Sequence, residues 1–470
     1  MATQAEDLKS SLLPIPDTKA ARILPPLPYI LAWSATAIFL GYFMWGASLI
    51  PPNGPLNLVQ AIAALLIGNF LVGVMYFING VPARKYGIPF AVHLRPSFGY
   101  NGSKLPALIR AVPALFWYGI QTWIGASALN VVSRELIGFD NPYIWFVVFQ
   151  VVQIAISASG FETIKWFDAT LAVVLGVIIL YMTYNAVQLY GFKLLDTAMN
   201  IEGTWGLPFW ALVTALLGIF TTLMLNIGDY VRYFPKKHSG NTFFWAQVLG
   251  IMPAAIFMCS IGMIGASATG RWDPIDVFIK ATNSPVVMII AMIFIAAAQA
   301  TTNLMANVVP PALVLIDIFK IKWTTAAVIT GVISLFTFPW FIVTASGFVL
   351  FTQVYSVFLG PIFGIMVVDF YFIRNKKFDI RELYNPFGSH RYHKGWNLAA
   401  VIAMIVGAGL AATNVGISWF VGVIPAAIVY YGLMKFWYMR EFPQPETDVI
   451  EAPAAELAEL EKGQAKPATI

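Results

Sequence analysis

A tryptophan and a glutamine lie four residues apart in an apolar stretch of this chain. The stretch reads PALFWYGIQTWIGASAL and contains Trp117 and Gln121, which share one face if it is helical. An indole can stack on a flat ring, and a primary amide can pair with an N–H and a C=O on its edge. The same side chains could instead join two neighbouring helices. The pair therefore predicts either a site for a polar heterocycle or a helix–helix contact.

Oxygen-bearing side chains are similarly spaced further along the chain. Ala298, Thr301 and Thr302 follow an i, i+3, i+4 pattern and share one helical face. Two adjacent hydroxyls could hold a small hard cation such as sodium, together with backbone carbonyls freed by a broken helix. Threonine hydroxyls also commonly bond back to their own helix. Cation binding and simple helix packing both remain open on this pattern.

Two asparagines continue the same segment. Asn303 and Asn307 are again four residues apart, and Asn307 could offer a second amide to the ligand of Gln121. An amide in hydrocarbon normally faces protein or water, so we expect at least one of the two to line a cavity. Between their ends the apolar segments hold no Lys, Arg, His or Glu, and Asp369 lies near one end. We therefore expect an uncharged cavity, a neutral solute, and sodium rather than protons.

The composition of the chain is that of a membrane protein with many spans. Of its 470 residues, 59% are hydrophobic and only 11% are charged, whereas soluble domains have about 25% charged residues. A span needs about 20 apolar residues. The pattern predicts an all-α polytopic membrane protein with about twelve transmembrane helices, at 28–50, 57–79, 106–132, 142–159, 164–190, 209–228, 243–267, 285–310, 323–344, 346–372, 396–414 and 416–436.

The positive charges are distributed unevenly between the two sides of this predicted bundle. With both termini inside, all but four of the 28 Lys and Arg residues fall in inner segments, Arg110 included. The positive-inside rule then predicts a cell (cytoplasmic) membrane protein with both termini cytoplasmic, and the net charge of +5 needs no nucleic-acid partner. The exceptions, in outer segments, are Arg134, Lys193, Arg271 and Lys280.

The spans group into two blocks of five and a final pair. Five is an odd number, so two consecutive blocks must have opposite orientations, as in the inverted repeats of secondary transporters. The tail at the C-terminus is rich in Ala, Pro and Glu and is predicted to be disordered. The predicted parts are a cytoplasmic tail at 1–27, repeats at 28–190 and 209–372, two extra helices at 396–436, and the tail at 443–470.

Four motifs resemble one known family. They are PALFWYGIQTWIGASAL (113–129), NIGDYVRY (226–233), QATTNLMANVVPPA (299–312) and GPIFGIMVVDFYFIR (360–374). In this order they are similar to the nucleobase–cation symporter family, which includes hydantoin, allantoin, uracil, purine and cytosine permeases. The resemblance implies the leucine-transporter fold, in which two inverted five-helix repeats have broken first and sixth helices.

The resemblance also implies roles for individual residues. Trp117 matches the stacking indole of the family, and Gln121 and Asn307 match its substrate-binding amides. Phe220 stands where the hydantoin transporter has Trp, and Phe39 where it has a Gln. These two departures imply a flatter ligand, or one that makes fewer hydrogen bonds, than hydantoin. The implied sodium ligands are the carbonyls of Ala35, Ile38 and Ala298 and the hydroxyls of Thr301 and Thr302.

The resulting hypothesis is a symporter that imports a neutral nucleobase-like heterocycle or ureide together with sodium. A proton-coupled carrier of a vitamin-like ring is the alternative. An enzyme is not expected, because titratable and metal-binding side chains are not clustered, and no organic cofactor is expected either. The partners would be the small heterocycle, the co-transported sodium ion and the lipid bilayer. The sequence leaves the oligomeric state open, with a monomer as the expectation.

Overall fold

The fold is built from helices. The computed structural model describes residues 12–159, 165–319 and 321–462, and within these ranges every extended regular element is helical. The only β-type pairings in the described chain are two isolated bridges. The prediction of an all-α protein is thereby confirmed.

The first five predicted spans correspond to six helices, because one span is divided. Each helix is long or apolar enough to form a whole span or part of one. The helices are α1 (Pro26–Ala37), α2 (Leu40–Ala47), α3 (Leu58–Tyr86), α4 (Lys104–Ile137), α5 (Pro142–Ser159) and α6 (Lys165–Tyr190).

The remaining spans follow after residue 206. They are α7 (Leu207–Leu225), α8 (Gly240–Thr269), α9 (Pro285–Asn303), α10 (Val309–Phe319), α11 (Trp323–Ser334), α12 (Ala345–Val368), α13 (Leu398–Thr413) and α14 (Ser418–Leu433). A π-helical segment, Leu304–Val308, joins α9 to α10 without a turn. Among the described residues, seven helices are long enough to span alone; with two bent pairs and two shorter apolar helices, the set is compatible with twelve spans.

The first span is broken, as the resemblance implied. Helices α1 and α2 meet at an angle of 60°, because Ile38 has ψ 77° and Phe39 is extended. The ring of Phe39 folds back over Gly41, where an added Cβ would lie 2.3 Å from it. Only glycine leaves room for that ring position, so the sequence supports the break locally.

The sixth span is interrupted near its end. Helix α7 is continuous from Leu207 to Leu225, and a short helix, Gly228–Val231, follows it. The helix is therefore interrupted at Asn226 and Ile227. Its apolar residues maintain an unbroken backbone ladder up to Asn226, whose N–H bonds to the Thr222 carbonyl.

Packing between the spans brings the predicted site residues into the interior. Helix α8 packs on α1, α2 and α3, whereas α4 packs on α5 and α9. Helix α7 lies between α3 and α12, and α6 contacts both α1 and α9. The first, third, sixth, eighth and tenth spans therefore surround one central region.

Both described chain ends lie at one end of the bundle. The Ile15 N–H donates to the Gly87 carbonyl at 2.9 Å, and Arg95 pairs with Glu461 at 2.7 Å. We call this end the basic end. It comprises the chain ends and the loops at 87–103, 226–239 and 374–397.

The C-terminal tail differs from the predicted disorder over its described part, 443–462. A short helix, Ala454–Glu461, buries Leu457 and Leu460 against Ile380 and Tyr384. Asp448 adds an ion pair with Lys85 at 2.6 Å. The tail is therefore packed on the basic end up to residue 462, and residues 463–470 lie outside the described chain.

Candidate functional site

Trp117 lies at the centre of a group of aromatic rings. Its buried indole is edge-on to Phe39, Phe348 and Phe351, with ring centroids 6.0, 5.8 and 5.7 Å away. The indole N–H also donates to the Tyr355 hydroxyl at 3.4 Å. The broken first span, the third span and the tenth span therefore meet at this one side chain.

Phe220 belongs to the same aromatic group but stands apart from Trp117. Its ring centroid is 4.9 Å from that of Tyr42 and 6.3 Å from that of Tyr76. Tyr42 in turn contacts Phe39 at 5.4 Å. No ring contact joins Phe220 directly to Trp117 in the described chain, so Phe39 and Tyr42 connect the two sides of the group.

Gln121 places a polar atom next to these rings. The side chain is 5% exposed, and its amide oxygen has no hydrogen-bond partner among the described residues. An unpaired buried acceptor costs about 1–3 kcal/mol. A ligand that offers an N–H would remove this cost.

Asn307 is held in place through a second asparagine. Its amide N–H donates to the Asn303 Oδ1 at 2.9 Å. The Asn303 amide nitrogen donates to the Tyr118 carbonyl at 3.0 Å and to the Gln153 Oε1 at 3.0 Å. Because a backbone carbonyl can only accept, the orientation of Asn303 is fixed. Asn307 must therefore donate to Asn303, which leaves its own oxygen for another partner.

Further hydrogen bonds support this pair of asparagines from behind. The Thr122 hydroxyl donates to the Gln150 Oε1 at 2.7 Å and accepts from the Gln153 amide at 2.9 Å. Gln150 also donates to the Ser334 hydroxyl at 2.7 Å. These bonds connect α4, α5, α9 and α11, so the wall that carries Asn307 is rigidly cross-linked.

The three candidate cation ligands of the eighth span are adjacent in space. The Thr301 hydroxyl donates to the Ala298 carbonyl at 3.2 Å, and the Thr302 hydroxyl donates to the same oxygen. Both hydroxyls therefore bond back to their own helix, which is one of the two interpretations left open by the sequence. Both hydroxyl oxygens therefore lie within hydrogen-bonding distance of the Ala298 carbonyl oxygen.

The two candidates of the first span lie at the break between α1 and α2. The Ala35 carbonyl accepts from the Ile38 N–H at 3.1 Å, whereas the Ile38 carbonyl receives no backbone hydrogen bond in the described chain. Helix α6 contacts both this region and α9, and Gly176 of α6 lies beside Ile38. No hydrogen bond joins these two carbonyls to Thr301 or Thr302 within the described ranges.

Arg110, which the charge count grouped with the inner segments, is a buried cation near the start of α4. Its side chain is 2% exposed. Its Nε donates to the Thr222 carbonyl at 3.3 Å, and its Nη2 to the Asn226 Oδ1 at 3.1 Å. Arg110 lies seven residues before Trp117 and therefore on the same helical face. This spacing could have predicted from the sequence that Arg110 lies on the side of α4 that faces the site.

The architecture and this site together define a class of protein. The bundle has a broken first span, and several spans enclose buried rings and amides at its centre. In the described chain, no group of three or more His, Cys, Asp or Glu side chains could hold a metal ion. Such an arrangement is that of a membrane transporter for small solutes.

Comparison with known proteins identifies the family. A family model described as "Permease for cytosine/purines, uracil, thiamine, allantoin" matches residues 14–437. The chain belongs to this family of permeases. It is a transporter rather than an enzyme, as the sequence predicted.

Individual relatives and solved structures agree with this assignment. The hydantoin permease of Microbacterium maritypicum is 28% identical over 94% of this chain and 92% of its own length. The allantoin permease of Bacillus subtilis is 28% identical over 80% of this chain and 83% of its own length. The inward-facing conformation of Mhp1 is 26% identical and covers 97% of this chain and 98% of its own, with a TM-score of 0.83. A second structure shows Mhp1, a nucleobase-cation-symport-1 family transporter, in a closed conformation with bromovinylhydantoin bound. It is 25% identical and covers 95% of this chain and 98% of its own, with a TM-score of 0.77.

Proposed function

We propose that this protein is a symporter that imports a neutral nitrogen heterocycle or ureide, of the uracil, allantoin, hydantoin or purine type, coupled to sodium. The single observation that carries the proposal is the unpartnered amide oxygen of Gln121, buried one helical turn from Trp117. A planar ring stacked near the indole would bring its polar edge to this oxygen. The ligands named for the relatives, hydantoin and allantoin, are small rings of this chemistry.

The orientation of the Gln121 and Asn307 amides indicates which polar groups on the edge of the ring they would bind. Asn307 uses an N–H in its bond to Asn303, so both it and Gln121 can offer an acceptor oxygen. Two acceptors favour a ring with at least two N–H donors. Phe220 and Phe39 would provide apolar walls that contact the faces of the ring. They would not offer the hydrogen bonds that a Trp and a Gln at these two positions could make.

Sodium coupling is supported by the chemistry of the candidate oxygens. The Thr301 and Thr302 hydroxyls and the Ala298 carbonyl to which both donate are neutral, hard ligands. The Ala35 and Ile38 carbonyls at the helix break would complete the shell. A bound ion that joins the first and eighth spans would favour the conformation with high substrate affinity, which is thermodynamic coupling between two ligands.

Proton coupling is the other candidate, and the ionisable groups disfavour it. Asp369 is fully buried, is paired with Arg374 at 2.8 Å and accepts from the Tyr430 hydroxyl at 2.6 Å. Both of its carboxylate oxygens therefore accept hydrogen bonds from within the protein. Arg110 cannot serve either, because a guanidinium does not release its proton in proteins.

The orientation in the membrane follows from the charge. The basic end would face the cytoplasm, since Lys and Arg are enriched in cytoplasmic loops. Both chain ends would then be cytoplasmic. We propose a multi-pass protein of the cytoplasmic membrane that can act as a monomer, because every proposed ligand comes from one chain.

Uptake by proteoliposomes tests the proposal. Labelled hydantoin, allantoin and uracil would be supplied with an inward sodium gradient, with equal sodium on both sides, and with a proton gradient alone. We expect accumulation of at least one ring, and only with the sodium gradient. No accumulation of any ring would refute the substrate class, and accumulation driven by protons alone would refute sodium coupling.

A matched pair of variants tests the amide itself. Gln121→Leu removes the unpartnered oxygen and should weaken ring binding by about 1–3 kcal/mol. Gln353→Leu is the control, because Gln353 donates to the Ala211 carbonyl at 2.9 Å, away from Trp117. Equal ring affinities in the two variants would remove Gln121 from the site.

A further inference from the structure

Arg110 is a buried cation close to the proposed ring site. Seven residues separate it from Trp117 on α4, so the two lie on one face about 10 Å apart along the helix axis. Its partners Thr222 and Asn226 follow Phe220 along α7 towards the basic end. Arg110 therefore lies on the side of the aromatic group that faces the basic end.

The hydrogen-bonding capacity of this guanidinium is not filled by the protein. Nε and Nη2 each donate to one neutral oxygen, whereas Nη1 is buried and has no partner in the described chain. Within the described ranges, no ion pair joins it to a carboxylate; Asn226, which accepts from Arg110, donates to Asp229 at 3.3 Å. A buried charge without a full set of partners is costly. The free N–H groups thus require an acceptor.

A tyrosine with an equally free hydroxyl stands next to this group. The Tyr76 side chain is fully buried, and its hydroxyl has no partner among the described residues. Its ring centroid lies 6.3 Å from that of Phe220, and Phe220 precedes by two residues Thr222, whose carbonyl accepts from the Arg110 Nε. Two independent donors, one cationic and one neutral, therefore lie beside one wall of the ring site.

The nearest competing groups do not fill this demand. Tyr355 interacts electrostatically with Arg110, but its hydroxyl proton is donated to the Gly218 carbonyl at 2.7 Å. The Asp229 Oδ1 accepts from the Phe90 N–H at 2.8 Å, and its Oδ2 accepts from the Asn226 amide at 3.3 Å. Among the described residues, the Arg110 Nη1 therefore remains without an acceptor.

We propose that Arg110 and Tyr76 form a subsite for an oxygen acceptor on a side group of the transported ring. The recognised chemistry is a planar carbonyl or carboxylate oxygen, carried on a short substituent that extends from the ring towards the basic end. This subsite rests on the proposed function, because it assumes that the ring lies between Trp117 and Phe220. It makes Arg110 a residue that determines which substituted rings the carrier prefers.

Three compounds with one common ring test the subsite. Hydantoin has no polar side group, allantoin carries a ureido carbonyl, and hydantoin-5-acetic acid carries a carboxylate. Their dissociation constants would be measured on the purified full-length protein in sodium. We expect at least one substituted ring to bind more than tenfold more tightly than hydantoin. The favoured compound shows whether the oxygen is ureido or carboxylate.

Two variants then connect the preference to the named side chains. Arg110→Gln should reduce the affinity ratio of substituted ring to hydantoin by more than tenfold. Tyr76→Phe should reduce this affinity ratio severalfold, although the variant keeps the aromatic ring and the charge of Arg110. This variant therefore tests the subsite even if Arg110→Gln does not fold. Gln121→Leu should instead weaken all three compounds to a similar extent and leave the ratio as in the parent.

The outcomes separate this inference from the proposed function. Hydantoin binding with no gain from either substituent would overturn the subsite alone. A gain that Tyr76→Phe and a folded Arg110→Gln both leave unchanged would also overturn it. Failure of all three compounds to bind the parent protein would overturn the ring site, and the subsite with it.

Discussion

The Trp117 indole N–H donates to the Tyr355 hydroxyl at 3.4 Å, and that hydroxyl donates to the Gly218 carbonyl at 2.7 Å. One hydroxyl therefore joins α4, α12 and α7. The bond restricts rotation of the indole, whose aromatic neighbours in the described chain are the edges of phenylalanine rings. The plane that would stack on a ring is thus set by the tenth span, so a movement of α12 would change the site directly.

Removal of this hydroxyl should weaken ring binding without a large loss of stability. Tyr355→Phe leaves the Trp117 N–H without this acceptor and the Gly218 carbonyl without this second donor, and we expect ring affinity to fall three- to tenfold, about 1 kcal/mol. Titration calorimetry with the transported ring measures this. Tyr371→Phe is the control, because its hydroxyl bonds to the Ile78 carbonyl at 2.9 Å, towards the basic end. Equal affinities for the two variants would contradict the role of Tyr355.

The Thr302 hydroxyl should be needed for the cation rather than for the fold. We expect Thr302→Ala to raise the sodium concentration for half-maximal uptake more than fivefold, because one hard oxygen is lost from the proposed set. The control is Thr330→Ala, since the Thr330 hydroxyl makes the same bond to the carbonyl four residues earlier, Ala326, at 2.8 Å. Sodium curves that coincide for both variants and the parent would exclude Thr302 from the ion site.

The described part of the C-terminal tail should detach when its apolar contact is broken. Leu457 is fully buried against Tyr384 and Ile380, so Leu457→Asp would bury an unpaired carboxylate. We expect protease cleavage within 443–462 to accelerate at least tenfold. Ala455→Asp adds the same charge to the exposed face of the same short helix and should leave cleavage at the parent rate. Equal cleavage of both variants would show that this contact does not hold the tail.

The positions of the spans could be predicted because hydrocarbon imposes a simple rule on composition. Long apolar runs must be helical to satisfy their backbone groups, so the all-α bundle followed from the sequence. The break at Ile38 did not follow from composition, because α1 and α2 form one apolar run; only the resemblance to a family implied it. The same resemblance implied a break in the sixth span without giving its position, and the structure has an interruption at Asn226 and Ile227, after α7.

The charged groups were harder to predict because their partners are distant in sequence. Arg110 was grouped with the inner segments by the charge count, which gave no sign that Thr222 and Asn226 accept from it in the interior. The tail was predicted to be disordered from its composition, yet Glu461 pairs with Arg95, 366 residues away. Local patterns carry no information about such contacts. The position of Trp117 and Gln121 one turn apart on a continuous helix, in contrast, is local and could be predicted from spacing alone.

Asp273, in the loop between α8 and α9, should make stability depend on pH. Its Oδ1 caps the short helix Pro274–Lys280 and accepts from the Ile275 N–H at 2.8 Å. Burial, and then the nearby charge of Asp276, raise the pKa of Asp273 from its ordinary value of 3.8 to about 6. The folded protein therefore binds this proton more tightly than the unfolded chain does. The resulting stability is present below about pH 4 and is lost as the pH rises to about 6.

Asp273→Asn keeps a capping oxygen and removes the charge, so it should be more stable than the parent at neutral pH. We expect the difference in unfolding temperature between variant and parent to grow from pH 4 to pH 6, the range between the two pKa values, and to be constant above it. Thermal unfolding of both proteins in the same detergent across this range measures the difference. Asp276→Asn should give a smaller gain, because it removes only the weaker of the two causes. A difference that shrinks as the pH rises would show that the Asp273 carboxylate is stabilised, rather than destabilised, by its surroundings.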